Sequence, residues 1–392
     1  MKGKGKSWFS LPMLCAFAWF GHACGSSFAT GRLAVQYCSR HGVIGIWGAV
    51  GIYILTGLWM FITLEFARLV KAKTYRDVVT GIYWDNAIVG KVMLLVWDLV
   101  QLFSIVVTSG SCISGSGTVL QQALGINYTL GMVLFVVVIL ALFLVGPNVF
   151  KRLGKMSFPM FILLMIVCLV AIVIGWDNLT ATFAGANNSA LQEGTGTPKA
   201  VFNDAFTYAC TQLGFIGTGS IFAGQFQSRK DTCKAVGVGM LMCGGGLAVC
   251  TVATLTTFPA CIEQPLPFLE IISGISGFGG GLLYVVYVIM LYIAYCSTAG
   301  SLVLSGVSRY QPMLCKVIKQ EKVATGILVV VLLCAATLIG RLGLMTIVQA
   351  GYGMLGKLRA PTWYIPLLVL GPIAINRVSK KLKLSASNSQ DA

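Results

Sequence analysis

Apolar residues run along this chain in long stretches, and the charged residues gather in short clusters between them. A helix needs about 20 apolar residues to cross a bilayer. On that measure the pattern predicts membrane helices over 8–38, 43–67, 91–122, 129–147, 156–176, 201–227, 233–258, 279–308, 323–340, 342–357 and 361–376. Eleven segments result, the last short and interrupted by Pro366 and Pro372. Residues 1–376 then form a single transmembrane domain, and the basic, polar tail 377–392 is expected to be disordered.

The clusters have a side. Lys2, Lys4 and Lys6 precede the first span; Arg68, Lys71, Lys73, Arg76 and Lys91 follow the second; Lys151, Arg152 and Lys155 follow the fourth. Arg229, Lys230 and Lys234 follow the sixth, Arg309, Lys316, Lys319 and Lys322 the eighth, and Lys357 and Arg359 the tenth, so 20 of the 28 basic residues share one side. The other side takes Arg32, Arg40, Lys199 and Arg341 together with the acids Asp177, Glu193, Glu263 and Glu270. Short cytoplasmic loops hold the Lys and Arg, which puts the N-terminus in the cytoplasm, with the cell (plasma) membrane as the expected location. Eleven crossings would place Arg377, Lys380, Lys381 and Lys383 outside, against this rule, so whether 361–376 crosses stays open at this level.

Composition narrows the classes further. Of 392 residues 57% are hydrophobic and 10% charged, with a mean hydropathy of +0.84. A soluble domain is about a quarter charged, so this is an integral membrane protein with the lipid bilayer as its surroundings. The net charge of +16 is scattered through loops rather than lining one face, which argues for topology and against nucleic acid as a partner. Thirteen cysteines contain no CxxC pair and read as small core residues, as at Cys168, Cys250 and Cys334. No HExxH or GxSxG motif supports an intramembrane enzyme. Oligomeric state leaves no mark on the sequence.

Two spans are interrupted at mid-depth. Span one contains Phe20-Gly21-His22-Ala23-Cys24-Gly25-Ser26-Ser27-Phe28-Ala29-Thr30-Gly31, and span six contains Leu213-Gly214-Phe215-Ile216-Gly217-Thr218-Gly219-Ser220-Ile221-Phe222-Ala223-Gly224. Glycine inside a helix costs about 1 kcal/mol against alanine, and backbone freed from helical bonding costs several kcal/mol per group in hydrocarbon unless a partner or water satisfies it. Tight helix packing is one reason for so many small residues. An offset of 194 sets Gly25 on Gly219, Ser26 on Ser220, Phe28 on Phe222 and Ala29 on Ala223. Five crossings separate the two stretches, which inverts the second copy. Paired interrupted helices at matching positions of two inverted halves point to a secondary transporter.

This layout resembles the leucine-transporter (LeuT) fold of the amino-acid–polyamine–organocation superfamily. The resemblance implies an all-α, five-plus-five inverted repeat of 10–11 transmembrane segments, with repeat one over about 8–176 and repeat two over about 201–357. Phe28-Ala29-Thr30-Gly31, Tyr75-Arg76-Asp77 and Gly351-Tyr352-Gly353 resemble the YkvI-like membrane proteins. The chain departs from that group with Cys24 and Ser27 in the first break and Arg32-Leu33 where a Gln-Glu pair is usual.

A half-helix N-terminus offers free N–H groups and about half a positive charge, which suits a carboxylate. Gly21, His22, Ala23, Gly25, Ser26 and Ser27 in the first break and Gly214, Phe215, Gly217, Gly219 and Ser220 in the second are therefore the candidate solute contacts, with Ser104 and Thr108 from span three. The carbonyls of Gly21 and Cys24 suit a cation, and Ala294, Ser297 and Thr298 put a carbonyl and two hydroxyls on one face of span eight by their i, i+3, i+4 spacing. In sodium-coupled members of the fold a sodium site has this composition. The alternative is that Ser297 and Thr298 bond back to the preceding turn. His22 is a candidate proton carrier, and so is Asp98, roughly 10 Å past Lys91 at 1.5 Å per residue. Glu65 and Arg68 read as a structural i, i+3 pair, and Arg32 with Asp204 as an outer gate.

The expectation is a Na⁺-coupled transporter of a small amino-acid-like or carboxylate-bearing solute, with no cofactor other than the coupling ion. A proton-coupled version through His22 or Asp98, or a non-transporting ligand sensor, are the alternatives.

Overall fold

Backbone groups in hydrocarbon must be satisfied within their own segment, and the chain meets this demand with helices. The computed structural model describes residues 10–83, 87–146, 149, 153 and 156–388. Eight helices among them are long and apolar enough to cross a membrane: Ser39–Leu69, Ala87–Leu124, Tyr128–Val145, Ser157–Ile174, Arg229–Leu255, Phe278–Leu314, Glu321–Gly340 and Leu344–Leu382. Spans one and six are each built from two shorter helices, Leu11–Ala23 with Arg32–Tyr37 and Pro198–Thr211 with Ile216–Ala223. The order is thus five crossings with the first interrupted, then five more with the first interrupted. Short helices Tyr75–Ile82, Trp176–Phe183 and Pro267–Ser273 lie in the connections.

The segmentation at the C-terminal end differs from the expectation. The stretches 342–357 and 361–376 are one helix, running from Leu344 through π turns Ile347–Gly351 and Ala360–Tyr364 to Asn388. Pro361 falls where the ordinary helical ladder is already interrupted by a π turn, so its ring and missing N–H do not end the helix. The Tyr364 hydroxyl donates to the Leu55 carbonyl at 3.1 Å, and Gly371 lies against Ile62. Span ten therefore runs alongside span two, and the described residues make no eleventh crossing. Ten crossings return Arg377, Lys380, Lys381 and Lys383 to the side of the other basic loops, which removes the conflict with the basic-loop rule. The tail expected to be disordered is helical as far as Asn388; residues 389–392 lie outside the described residues.

Large aromatic side chains fill the centre. Trp97 and Trp363 sit 4.8 Å apart between spans three and ten, Trp19 stacks on Phe215 at 6.3 Å between spans one and six, and Tyr37 stacks on Tyr208 at 4.9 Å. The last two contacts hold the two interrupted helices side by side. Cys168 and Cys250 are buried, with their thiols 3.6 Å apart. Cys334 is exposed on span nine, not in the core; lipid tails are as apolar as a protein interior, so a thiol is at home on either surface.

Candidate functional site

The first half of span one stays helical through Ala23, so Gly21, His22 and Ala23 belong to its last turn rather than to an unwound stretch. The helix then widens into a π turn, Cys24–Phe28, which carries Gly25, Ser26 and Ser27. It ends at Gly31, whose φ of 82° is the left-handed conformation that glycine adopts without penalty. The freed carbonyls find donors from other parts of the chain. Thr298 Oγ1 donates to Gly21 O at 3.2 Å, Cys112 Sγ to Gly25 O at 3.4 Å, Tyr287 Oη to Ala29 O at 2.6 Å and the Phe268 amide to Thr30 O at 3.1 Å.

Span eight faces this break with Ala294 and Thr298. A side chain on Gly25 would collide with the Thr298 hydroxyl and the Ala294 carbonyl. Gly21, Gly25, Ala294 and Thr298 therefore meet, with Ser297 buried next along the helix and Cys24 in the adjoining turn. The cluster is made of neutral oxygens. Thr298 bonds across to span one rather than back to its own preceding turn.

The second interruption is milder. Pro198–Thr211 passes into a single 3-10 turn, Gln212–Phe215, and helix resumes at Ile216. Gly217, Gly219 and Ser220 lie inside that helix, so they do not present an unwound backbone as the sequence suggested. Gly219 is there for packing, with the Phe215 ring where its side chain would be. Two carbonyls at this interruption are capped: Arg359 Nη1 donates to Thr211 O at the end of the first helix, and Gln101 Nε2 reaches Gly214 O in the turn at 3.5 Å. Lys357 and Arg359 are accordingly not loop residues. Arg359 is fully buried in span ten, bonded also to Gln101 Oε1 at 3.2 Å and lying 5.8 Å from the Trp97 ring.

Between the two breaks lies a cavity of about 30 Å³ lined by His22, Ala23, Leu33, Ser104, Thr108, Tyr208, Thr211, Gln212, Tyr352 and Leu355. That is room for a water or two. Four of the sequence candidates (His22, Ala23, Ser104 and Thr108) line it; Gly21, Gly25, Ser27, Gly214, Phe215, Gly217, Gly219 and Ser220 do not. Gly214 backs His22 Nε2 and the Arg359 guanidinium, each 3.2 Å from where a Cβ would sit, and Phe215 stands 5.9 Å from the His22 ring. Sequence reasoning missed Tyr208, Thr211 and Gln212, whose i, i+3, i+4 spacing puts them on one face of the helix entering the second break. It also missed Tyr352, although that residue sits in the Gly351-Tyr352-Gly353 motif already singled out.

The charged candidates find other partners. Arg32 is bound by the Ile262 carbonyl at 2.7 Å, the Gln264 carbonyl at 3.2 Å and Gln36 Oε1 at 3.3 Å, while Asp204 pairs with Arg40 and with His41 Nε2 at 2.9 Å. No Arg32–Asp204 gate is formed: Arg40 and His41 take the carboxylate instead. Asp98 is not an isolated intramembrane acid. Arg309 grips both its oxygens, Tyr75 donates to one of them, and it lies outside the cavity lining. Glu65 and Arg68 do pair, at 2.7 Å, with Thr232 donating to the same carboxylate at 2.9 Å.

No protein-family model matches the chain. Over 122 residues, 30% of its length, it is 26% identical to the uncharacterized membrane protein YkvI of Bacillus subtilis, and the match spans 33% of that relative. Three solved structures share its architecture. The manganese transporter of Eremococcus coleocola, in complex with an aromatic bis-isothiourea compound, superposes with a TM-score of 0.52 at 14% identity, over 99% of this chain and 89% of that one. MhsT in complex with L-phenylalanine gives 0.54 at 15% identity, over 96% and 99%. Mhp1, a nucleobase-cation-symport-1 family transporter in a closed conformation with bromovinylhydantoin bound, gives 0.51 at 16%, over 93% and 77%. The order of helices, the two interrupted spans and these superpositions together identify the chain as an all-α membrane protein with the leucine-transporter fold.

Proposed function

We propose that the protein is a Na⁺-coupled secondary transporter of a small amino-acid-like or carboxylate-bearing solute. One observation carries the reading. The break in span one is bordered on one side by the neutral oxygens of Gly21, Ala294 and Thr298 and on the other by a cavity with the polar groups of His22, Ser104, Thr108, Tyr208, Thr211, Gln212 and Tyr352. Hard cations prefer oxygen ligands, so the first cluster suits Na⁺, with Ser297 Oγ and the Cys24 carbonyl as further ligands. The cavity takes the solute. Because it is too small for an amino acid as it stands, binding is accompanied by separation of its walls. Spans one, two, six and seven then rock against three, four, eight and nine.

The neighbours with this fold differ in what their names give: manganese as the cargo of one, L-phenylalanine and bromovinylhydantoin as molecules bound by the others. Among the described residues no group of three or more His, Cys, Asp or Glu could hold a metal ion, which favours an organic solute here. The test is uptake of labelled amino acids into proteoliposomes under separately imposed Na⁺ and pH gradients. Accumulation driven by inward Na⁺, and lost in Thr298→Ala, is the expected result. Uptake driven by pH and indifferent to Na⁺ would move the coupling to His22, and solute binding without accumulation would make the protein a sensor.

A further inference from the structure

We propose that Arg359 is the anion-anchoring residue of the solute site, and that the carboxylate of the transported solute is its counter-ion; the inference rests on the reading of the cavity as a solute site. Arg359 is 0% exposed in the middle of span ten. Its acceptors are all neutral: the Thr211 carbonyl and Gln101 Oε1, with the Trp97 ring face nearby and the Nε hydrogen left without any partner. The ion pairs among the described residues engage Asp204, Glu65 and Asp98, none of them with Arg359. Arg32, the other arginine buried near a break, has Glu263 close enough to act on it. No carboxylate among the described residues pairs with Arg359, and the acidic group that acts on it is the Cys210 thiol.

An arginine does not shed its proton to escape such a place, and a charge within a membrane span is costly enough that it marks function by default. What its surroundings lack is an anion. Position says where that anion arrives. Thr211, whose carbonyl Arg359 holds, lines the cavity; so does Leu355, one helical turn before it; and so does His22, which faces Arg359 across Gly214. A Cβ at 214 would press on both, so glycine is what lets the imidazole and the guanidinium come this close. Gln212, also on the cavity wall, keeps a buried Oε1 without a donor, ready for an ammonium or hydroxyl of the same solute. A guanidinium fork suits a carboxylate geometrically as well as electrostatically.

The experiment is a thermal-shift titration of the full chain in detergent with Na⁺ present. The probes are the protein L-amino acids together with acetate, pyruvate and succinate, followed by the amide and the decarboxylated amine of each amino acid that binds. The wild type is expected to be stabilised by carboxylates and to bind the matching amide and amine at least tenfold more weakly. Arg359→Gln should lose that tenfold preference. Gln101→Glu places a carboxylate beside Arg359 within the protein; it should melt no lower than the wild type yet lose the carboxylate-induced shift, and it serves where Arg359→Gln does not fold. A carboxylate preference that survives in either variant overturns the role of Arg359 and leaves the transport reading intact. A wild type that binds amides or amines as well as their parents, or shows no carboxylate-dependent shift, overturns the carboxylate reading itself.

Discussion

The two interrupted spans solve one problem in two ways. Span one leaves the helix for a π turn and a left-handed glycine, and its freed carbonyls are capped by single donors from spans three and eight and the connection before span eight. Span six only tightens into one 3-10 turn, and both of its capped carbonyls depend on a linked pair, Gln101 and Arg359. The matching small residues at an offset of 194 thus do different work: Gly25 allows contact with span eight, whereas Gly219 makes room for Phe215 of its own span. Symmetry of sequence placed the breaks, but each break took the shape that its own neighbours could satisfy.

The difference can be broken experimentally, starting with the largest effect. Gly25→Ala drives a methyl into the Thr298 hydroxyl and Ala294 carbonyl, and is expected to cost about 3 kcal/mol or more because helix eight must move. Gly217→Ala in span six meets only the Ser305 hydroxyl at 3.6 Å, an ordinary contact, and should raise stability by up to about 1 kcal/mol, the helical advantage of alanine over glycine. Chemical denaturation in mixed micelles compares the two; equal losses would mean that span one is no more tightly enclosed than span six. Next, Tyr287→Phe removes the donor to the Ala29 carbonyl and leaves that buried group unpaired, for a loss of about 1–3 kcal/mol by the same measurement. Gly31→Ala imposes a side chain on a left-handed residue and sets it 3.2 Å from Phe268 and Thr254, at about 1–2 kcal/mol, while leaving Na⁺-dependent stabilisation unchanged. Loss of the sodium response in Gly31→Ala would show that the capping turn and the ion cluster are one unit.

Some of the site could be read before folding was considered. The glycines marked the first break, and helical spacing put Ala294, Ser297 and Thr298 on one face of span eight; that this face meets the break was implied by the resemblance, and His22, Ser104 and Thr108 line the cavity beside it. The outer charges were misassigned because three basic groups, Arg32, Arg40 and His41, lie within ten positions of one another; which of them reaches Asp204 depends on how the 3-10 turn Ser39–Ile44 aims its side chains. Arg359 was misassigned for a different reason. A charge two residues from Lys357 and two before a proline has the local signature of a loop.

Hydrophobic length is a property of neighbouring residues, and it was enough for the membrane class and for most of the spans. Whether Pro361 ends a helix, and whether a guanidinium faces water or the protein interior, is settled by groups that the chain brings together from far apart. Thr211 lies 148 positions from Arg359 and Gln101 lies 258. A buried charge is tolerable only where such distant acceptors converge, and no local pattern encodes that convergence.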